Sequence, residues 1–486
     1  MSPSSSFDAW AVPDGVPTLP GTREVTASPD LQVRCPTADP DWMRAVVRSL
    51  GEGPAGAGAE DEHAVTARVE ALGAVGRRFL DPDDRLRREA LALLPPTSGL
   101  SEAMAEVVLD GMARDWLPER LARLVREELG ERPALGRFVP SGDRAVMAVA
   151  PRLCVQLVAG SVPGVAVNAL IRSLLLGAPT LLKPGFGDVT LPVLFARALR
   201  EESPDLARRL AVVYWPGGEE ELEDAVLAEA EVVTVYGSDA TVASIRSRAP
   251  VSARVIGYHH RSGVGVVGSG VLTSPGAAAE AARAVARAVA VFDQRGCVSP
   301  RVVYVEDAGA DVAPPGFARE LARALDGLEA KLPSGALGRL ERSAVHQLRG
   351  TAEMLAAGWG DEADDRPRVM HGGDAAPWTV FYDPYRALET SCVGRVVVVR
   401  PFRTPEELHA RLAPVGPHLQ TVGVTGLGDR LEAVAEALGR IGVARVAPFE
   451  TVPFPPPWWH HDGRGPLNDL VRWVDLEGGG VGFDGD

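Results

Sequence analysis

LCVQLVAGSVPGVAVNALIRSLLLGAPTLLKP, residues 153–184, decides the fold. Leu153–Val158 is a short apolar run that reads as a strand. Val165–Leu176 spreads its apolar side chains at helical spacing, with Gly177 just past its end. Thr180–Lys183 is the next strand, stopped by Pro184. Strand, helix and strand at this spacing make a parallel β-α-β unit. The rhythm continues with a helix at Asp188–Glu201, a strand at 211–215 and the turn Pro216-Gly217-Gly218. A helix at Glu219–Ala230 follows, its acidic first turn suited to the helix dipole. Then come a strand at 232–236, a helix at Asp239–Arg248 and a strand at 253–257. Right-handed crossovers make such a series a doubly wound, Rossmann-like domain, with ligands past the carboxyl ends of the strands. Residues 153–171 do not suit a membrane span, which needs about 20 mostly apolar residues. Gln156, Gly160, Ser161, Pro163, Gly164 and Asn168 interrupt the run.

Working outward, residues 1–40 are rich in Pro, Ser and Asp and read as an irregular N-terminal arm. Helical patterning dominates next, as in 84–94 and 118–129, where Leu121, Leu124 and Leu129 recur near helical spacing. Residues 41–268 are taken as this helical region plus the Rossmann-like domain. Residues 269–450 form a second α/β domain. Ser274 and Pro275 make an N-cap and first-turn pair. The helix they open, Gly276–Val291, runs directly into Asp293-Gln294-Arg295-Gly296-Cys297. Strand candidates follow at 302–306, 379–382, 395–399, 421–424 and 442–446. Residues 451–486, with a Pro run and paired Trp, read as an extended C-terminal arm.

The chain has 486 residues, 46 % hydrophobic and 24 % charged, as expected of a globular protein of two or three domains. Its net charge of −15 argues against general nucleic-acid binding and against docking on anionic membranes. The four cysteines, at 35, 154, 297 and 392, form no CxxC pair, so neither a disulfide framework nor a metal site is expected. A reducing, cytoplasmic setting fits. The first residues lack the basic-then-apolar pattern of a signal peptide, and no integral membrane segment is expected. Only two residues are lysine, Lys183 and Lys331.

That scarcity directs attention to a few side chains. Lys183 ends a strand at the edge where a ligand of such a sheet lies. A compact ammonium there is not freely replaced by guanidinium. Gly237 ends the strand at 232–236, and Ser238 opens a helix whose free N–H groups suit a phosphate. Cys154 reads as a core residue. Cys297 follows a helix that gives way to a Gly-containing turn. Such a turn exposes sulfur, and the adjacent Arg295 favours thiolate.

Together these pieces resemble the aldehyde dehydrogenase superfamily. Lys183-Pro184, Gly237-Ser238 and Cys297 stand in that superfamily's order and spacing. The closer resemblance is to the long-chain acyl-CoA (fatty acyl) reductases, which include the reductase component of the bacterial bioluminescence fatty-acid reductase complex. It is carried by AGSVPG (159–164), VVYWPGG (212–218), VVTVYGSDA (232–240), RVIGYHHRSG (254–263), VFDQRGCVSP (291–300) and WHHDGRGPLNDLVRWVDLE (459–477). The resemblance implies an aldehyde-dehydrogenase-like α/β fold, in which a Rossmann-like cofactor domain is joined to a catalytic α/β domain. It makes 41–268 the NADP(H)-binding part and Cys297 the nucleophile. Lys183, Gly217, Gly237 and Ser238 become cofactor residues, and Glu389 the acid that holds the nicotinamide ribose.

Two departures shape the expected chemistry. Where ordinary members place an Asn that donates to the oxyanion, this chain has Gly160-Ser161-Val162-Pro163. That leaves the backbone N–H of Cys297 and Ser161 as candidate donors. Where they place the Glu that activates water, this chain has Gly257-Tyr258-His259-His260-Arg261-Ser262, with no carboxylate. His260 remains as a group able to move protons. Without that base a thioester on Cys297 persists, which suits reduction to an aldehyde rather than hydrolysis to an acid. No acid follows Pro184 until Asp188, so a nucleotide 2′-phosphate meets less repulsion and NADPH is the expected donor, with Arg246 or Arg248 as candidate helpers. The implied substrate is an acyl-CoA or acyl-protein thioester, delivered by CoA or by an acyl-transferring partner enzyme, and the implied assembly is a homo-oligomer. The alternatives are aldehyde oxidation or acyl-phosphate reduction on the same fold, or a non-catalytic acyl-binding scaffold. The part played by His460, His461 and Asp462 is open.

Overall fold

A computed structural model of the chain describes residues 5–51, 62–357, 366–373, 378–385 and 394–477. Glu389 and Cys392 therefore lie outside the described residues. The chain divides into two compact units. Residues 1–98, 109–259 and 456–486 form the first, and residues 99–108 and 260–455 the second.

The first unit is built on a six-stranded sheet. Its order is Arg254–Tyr258, Val232–Tyr236, Cys154–Val158, Thr180–Lys183, Leu210–Val213 and Trp10–Ala11. The first five are parallel, and Trp10–Ala11 runs antiparallel to Leu210–Val213. The chain steps outward from Cys154–Val158 through two strands, then returns to the other side of it with Val232–Tyr236. That reversal is the switch point at which such sheets open a ligand crevice. Both faces are covered, so Cys154–Val158 and Leu210–Val213 are buried throughout. Val155, Leu157, Leu181, Val213, Val233 and Val235 pack one face against Trp42, Val226 and Ile245. The intervening helices are Val165–Leu175, Thr190–Glu202, Glu220–Leu227 and Asp239–Arg248. They lie within a few residues of the ranges expected from the sequence. Helices at Arg85–Ser98 and Pro118–Leu129 fill the helical region, the second burying Leu121, Leu124 and Leu129.

Both expected arms are corrected. Residues 5–36 are not irregular throughout: Leu31–Pro36 pairs parallel with Ser5–Asp8 and antiparallel with Thr22–Ser28, with irregular chain only between these strands. The alternation that drives this is plain in Leu31, Val33 and Cys35, all buried, against half-buried Gln32 and Arg34. The Pro- and Ser-rich surroundings mask that period of two. The C-terminal segment is not simply extended either, since Arg472–Leu476 pairs antiparallel with Arg144–Val149, which in turn pairs with Val139–Ser141.

The second unit carries a seven-stranded sheet in the order Arg368–His371, Thr379–Tyr382, Val396–Phe402, Pro300–Glu306, Ser262–Val267, Leu419–Thr425 and Arg445–Pro448. All neighbours are parallel except the edge strand Arg368–His371. Ser262–Val267 has no counterpart among the expected strands. Glycines hide it, and packing explains them: a Cβ on Gly263 would stand 2.3 Å from the Val298 carbonyl oxygen. The unit boundary falls before this strand, at 259/260, whereas the succession of elements read from the sequence puts the division at 268/269. Among the described residues, no helix is long and apolar enough to cross a membrane.

Candidate active site

At the switch point of the first unit lies a cavity of about 570 Å³. That is within the roughly 300–1,000 Å³ usual for small-ligand sites. Its wall includes Lys183, Gly217, Tyr236, Gly237, Ser238 and Arg248. The fold thus brings together the four described residues that the sequence reading assigns to a cofactor. Each arrives from a strand end: Lys183 closes Thr180–Lys183, Gly237 and Ser238 follow Val232–Tyr236, and Gly217 follows Leu210–Val213. Ser238 caps the helix Asp239–Arg248, its Oγ accepting the Thr241 N–H at 3.2 Å. A Cβ placed on Gly217 or Gly218 meets nothing within 4 Å, so backbone there borders open space. Open glycine backbone, the remaining N–H groups of a helix N-terminus and an ammonium suit the phosphates and hydroxyls of a dinucleotide, and the residues present fit one.

The charges of this cavity are set locally. Burial pulls the Lys183 pKa down from its ordinary value, and the nearby Glu223 carboxylate pushes it back up. Glu223 also lines the cavity and is ion-paired with Arg248. Arg248 reaches Asp224 as well, at 2.7 Å. Of the two arginines considered for a 2′-phosphate, Arg248 is thus on the wall but already neutralised. Asp188 does not face the cavity. Both of its oxygens accept the Gly164 N–H at 3.1 Å, and one accepts the Ala166 N–H at 3.2 Å. It caps the helix Val165–Leu175 from within the core, and burial pushes its pKa up to about 7 against the pull of those bonds. The loop after Lys183 is fixed by backbone contact, since a Cβ on Gly185 would lie 2.2 Å from the Gly160 nitrogen.

In the second unit, the helix Pro275–Ala290 is capped by Ser274, whose Oγ accepts the Ala277 N–H at 3.3 Å. It delivers the chain into a strained turn. Phe292, Asp293 and Gln294 have φ of 61°, 49° and 63°, three consecutive left-handed residues without a glycine. Each costs about 1–3 kcal/mol and persists only where its surroundings impose it. Here they do. Asp293 is buried and accepts Arg395 Nη2 at 2.9 Å, Arg395 Nε at 3.1 Å and the Gly335 N–H at 3.0 Å. Gln294 donates to the Pro300 and Val396 carbonyls at 2.9 and 2.6 Å and accepts the Val396 N–H at 2.9 Å. The Ser299 N–H then closes a turn on the Gly296 carbonyl at 3.0 Å, with Cys297 inside it. Cys297 is part-exposed, and the residues on either side of it, Gly296 and Val298, are buried. It is not in a disulfide. Arg295 does not offer the thiol an unmatched charge: its guanidinium donates to the Ala336 carbonyl at 3.2 Å and lies 3.6 Å from Glu341.

Ser161 is exposed in the loop between Cys154–Val158 and Val165–Leu175. Asn168 is engaged elsewhere, accepting the Trp116 indole N–H at 2.6 Å. His260 is exposed just past the strand Arg254–Tyr258, and His259 Nδ1 lies 3.9 Å from Asp239. Sequence reasoning misses an aromatic stack in the first unit. Tyr236 and Tyr258 stack at 4.3 Å, His461 stacks on Tyr258 at 4.5 Å, and Trp459 stacks on His461 at 4.7 Å. Arg172 donates to the Tyr236 hydroxyl at 3.2 Å. The available signal is that VVTVY and RVIGY both end in Tyr, and these residues are in register across the sheet.

A family model described as Acyl-CoA reductase (LuxC) matches residues 61–473. A long-chain acyl-protein thioester reductase from Aliivibrio fischeri is 24 % identical over 413 residues, 84 % of this chain and 81 % of that protein. One from Photorhabdus laumondii is 26 % identical over 246 residues, 49 % of each. Among solved structures, a putative methylmalonate-semialdehyde dehydrogenase from Sinorhizobium meliloti 1021, complexed with NAD, superposes with a TM-score of 0.74 at 14 % identity, covering 99 % of this chain and 100 % of that one. An NAD-dependent aldehyde dehydrogenase from Sinorhizobium meliloti gives 0.73 at 17 % identity, covering 97 % and 94 %. The fold is therefore that of the aldehyde dehydrogenases.

Proposed function

The chain belongs to the acyl-CoA reductase (LuxC) family, oxidoreductases that act on acyl groups, and from that premise we propose that it reduces a long-chain acyl thioester to the aldehyde with NADPH as donor. Cys297 Sγ attacks the thioester carbonyl, and the carrier thiol leaves as the new S-acyl bond forms. Lys183 and the Gly237-Ser238 turn hold the nucleotide, whose reduced nicotinamide supplies a hydride when bound. The backbone N–H of Cys297 and the Ser161 hydroxyl donate to the oxyanion. His260 is the group that moves protons. The thiolate of Cys297 is regenerated as the aldehyde departs.

The observation that carries this reading is the Cys297 turn within a chain whose stretch 257–262 holds no carboxylate to activate water. An S-acyl enzyme then waits for reduction instead of being hydrolysed. NADPH rather than NADH is supported by Asp188 being committed to helix capping and by Glu223 being matched by Arg248. Delivery of the acyl group as CoA ester or on a protein is left to the same chemistry, since both are thioesters.

The deciding experiment incubates the protein with palmitoyl-CoA, without nucleotide, and maps the adduct by mass spectrometry. A palmitoyl group on the Cys297 peptide is expected, absent from Cys297→Ala. Adding NADPH should then release aldehyde, with turnover in Cys297→Ala at least about 10³-fold lower. Undiminished reduction in that variant overturns the mechanism. Fatty acid in place of aldehyde overturns the argument from the missing base.

A further inference from the structure

The left-handed turn before Cys297 is held from 102 positions further along the chain, Asp293 by the Arg395 side chain and Gln294 by the Val396 backbone. Arg395 is 1 % exposed, and its own φ is 59°. Beyond Asp293 it donates to Glu329 at 2.6 Å and to the Leu332 carbonyl at 2.9 Å. Glu329 in turn accepts the Ser334 N–H and hydroxyl at 2.8 and 2.9 Å. The Gly394 N–H reaches the Asp293 carbonyl at 3.4 Å, and the Thr379 N–H reaches the Arg395 carbonyl at 3.0 Å. Two strained turns, 292–294 and 394–395, thus face one another and are joined by an ion pair and by the amide of Gln294. Every polar atom of the Gln294 amide is used on backbone.

A hydrophobic turn of this shape would relax, because nothing local favours three left-handed non-glycine residues. A buried ion pair is an inefficient way to gain stability alone, but it fixes geometry, and removing one partner leaves a stranded charge. We infer that Asp293, Gln294 and Arg395 are positioning residues of the nucleophile. They form a buried clamp that holds 292–294 left-handed and so fixes where Cys297 Sγ stands relative to the carbonyl it attacks. This rests on the reading of Cys297 as nucleophile. Placement of an attacking atom matters because a reaction between held groups falls steeply with an ångström of misplacement.

The test uses the full chain and three variants: Gln294→Met, Asp293→Asn, and Asp293→Asn combined with Arg395→Met, which removes both charges together. Thermal melting and NADPH binding to the first unit report folding. Two rates are then compared on Cys297: single-turnover acylation by palmitoyl-CoA, followed by mass spectrometry, and alkylation by iodoacetamide, a small reagent that needs no oriented carbonyl. Acylation should fall at least tenfold in Gln294→Met and in the double variant, with half-saturation by palmitoyl-CoA unchanged and alkylation within threefold of the parent. Acylation within twofold of the parent overturns the proposal. So does a parallel fall of both rates in step with melting temperature, the signature of a merely structural role. If Asp293→Asn does not fold, the other two variants decide. An unmodified Cys297 in the parent protein defeats the nucleophile reading itself, and the clamp proposal with it.

Discussion

Lys183 is the side chain on which the cavity of the first unit turns. It sits at a strand end, half-buried, with Glu223 offsetting the cost of its charge. Its ammonium is compact, and the cavity wall beside it already carries a guanidinium, Arg248, committed to Glu223 and Asp224. Lys183→Ala should therefore weaken NADPH binding at least about tenfold, or about 1.4 kcal/mol. Lys183→Arg should not restore it, because a planar fork cannot take the place of a point charge in this space. Nucleotide fluorescence titration measures both, and full affinity in either variant removes Lys183 from the site. At this scale scarcity in the sequence narrows the search: of two lysines one lines the cavity, and of the three described cysteines only Cys297, three residues past the strained turn, is part-exposed. It is a poor guide to Arg295, where adjacency along the chain suggests a charge for the thiol and the fold hands that charge to Glu341.

The helix Val165–Leu175 begins with Gly164 at φ 93°, and no side chain of its own caps it. Asp188 does so from the far side of the next strand. Its pKa of about 7 lies above the ordinary carboxyl value, so the folded protein keeps a proton that the unfolded chain has lost. Stability from this group is present in full below about pH 4 and is lost as pH rises through about 7. Asp188→Asn cannot titrate. The parent's advantage over that variant should shrink by on the order of 2 kcal/mol between pH 5 and pH 8, read as converging melting temperatures. A gap that stays constant or widens with pH sinks the assignment. The helix itself was legible, as were its neighbours, because short apolar runs, Gly stops and acidic first turns are local signals. The strand Ser262–Val267 was not, since its glycines answer to the backbone at Val298. The Asp293–Arg395 clamp was not either, because no local pattern links residues 102 apart.

Across the whole chain, the feature that most departs from a linear reading is the return of the last described residues to the first unit. Leu467, Leu470 and Val471 are buried there. Arg472–Leu476 supplies a strand, Arg254 donates to the Asp469 and Val471 carbonyls at 2.7 Å, and Arg123 lies 3.8 Å over the Trp458 ring. Glu128, from the helical region, accepts the Leu467 and Asn468 N–H groups at 3.2 and 3.0 Å. This return lays His461 on Tyr258, whose stacked neighbour Tyr236 lines the cavity of the first unit. The C-terminal segment is therefore a wall of the first unit and not an appendage. Glu128→Ala removes the shared acceptor of two backbone donors, one part-buried and one exposed, and should cost about 1 kcal/mol. Ending the chain before Pro456 strips the sheet of a strand and the stack of its outer rings. That form should melt well below the parent and lose most of its nucleotide affinity, whereas His461→Ala should melt near the parent yet bind NADPH more weakly. Calorimetry and nucleotide titration on the three forms separate these effects. A shortened chain that melts and binds like the parent would show that the segment merely rests on the surface.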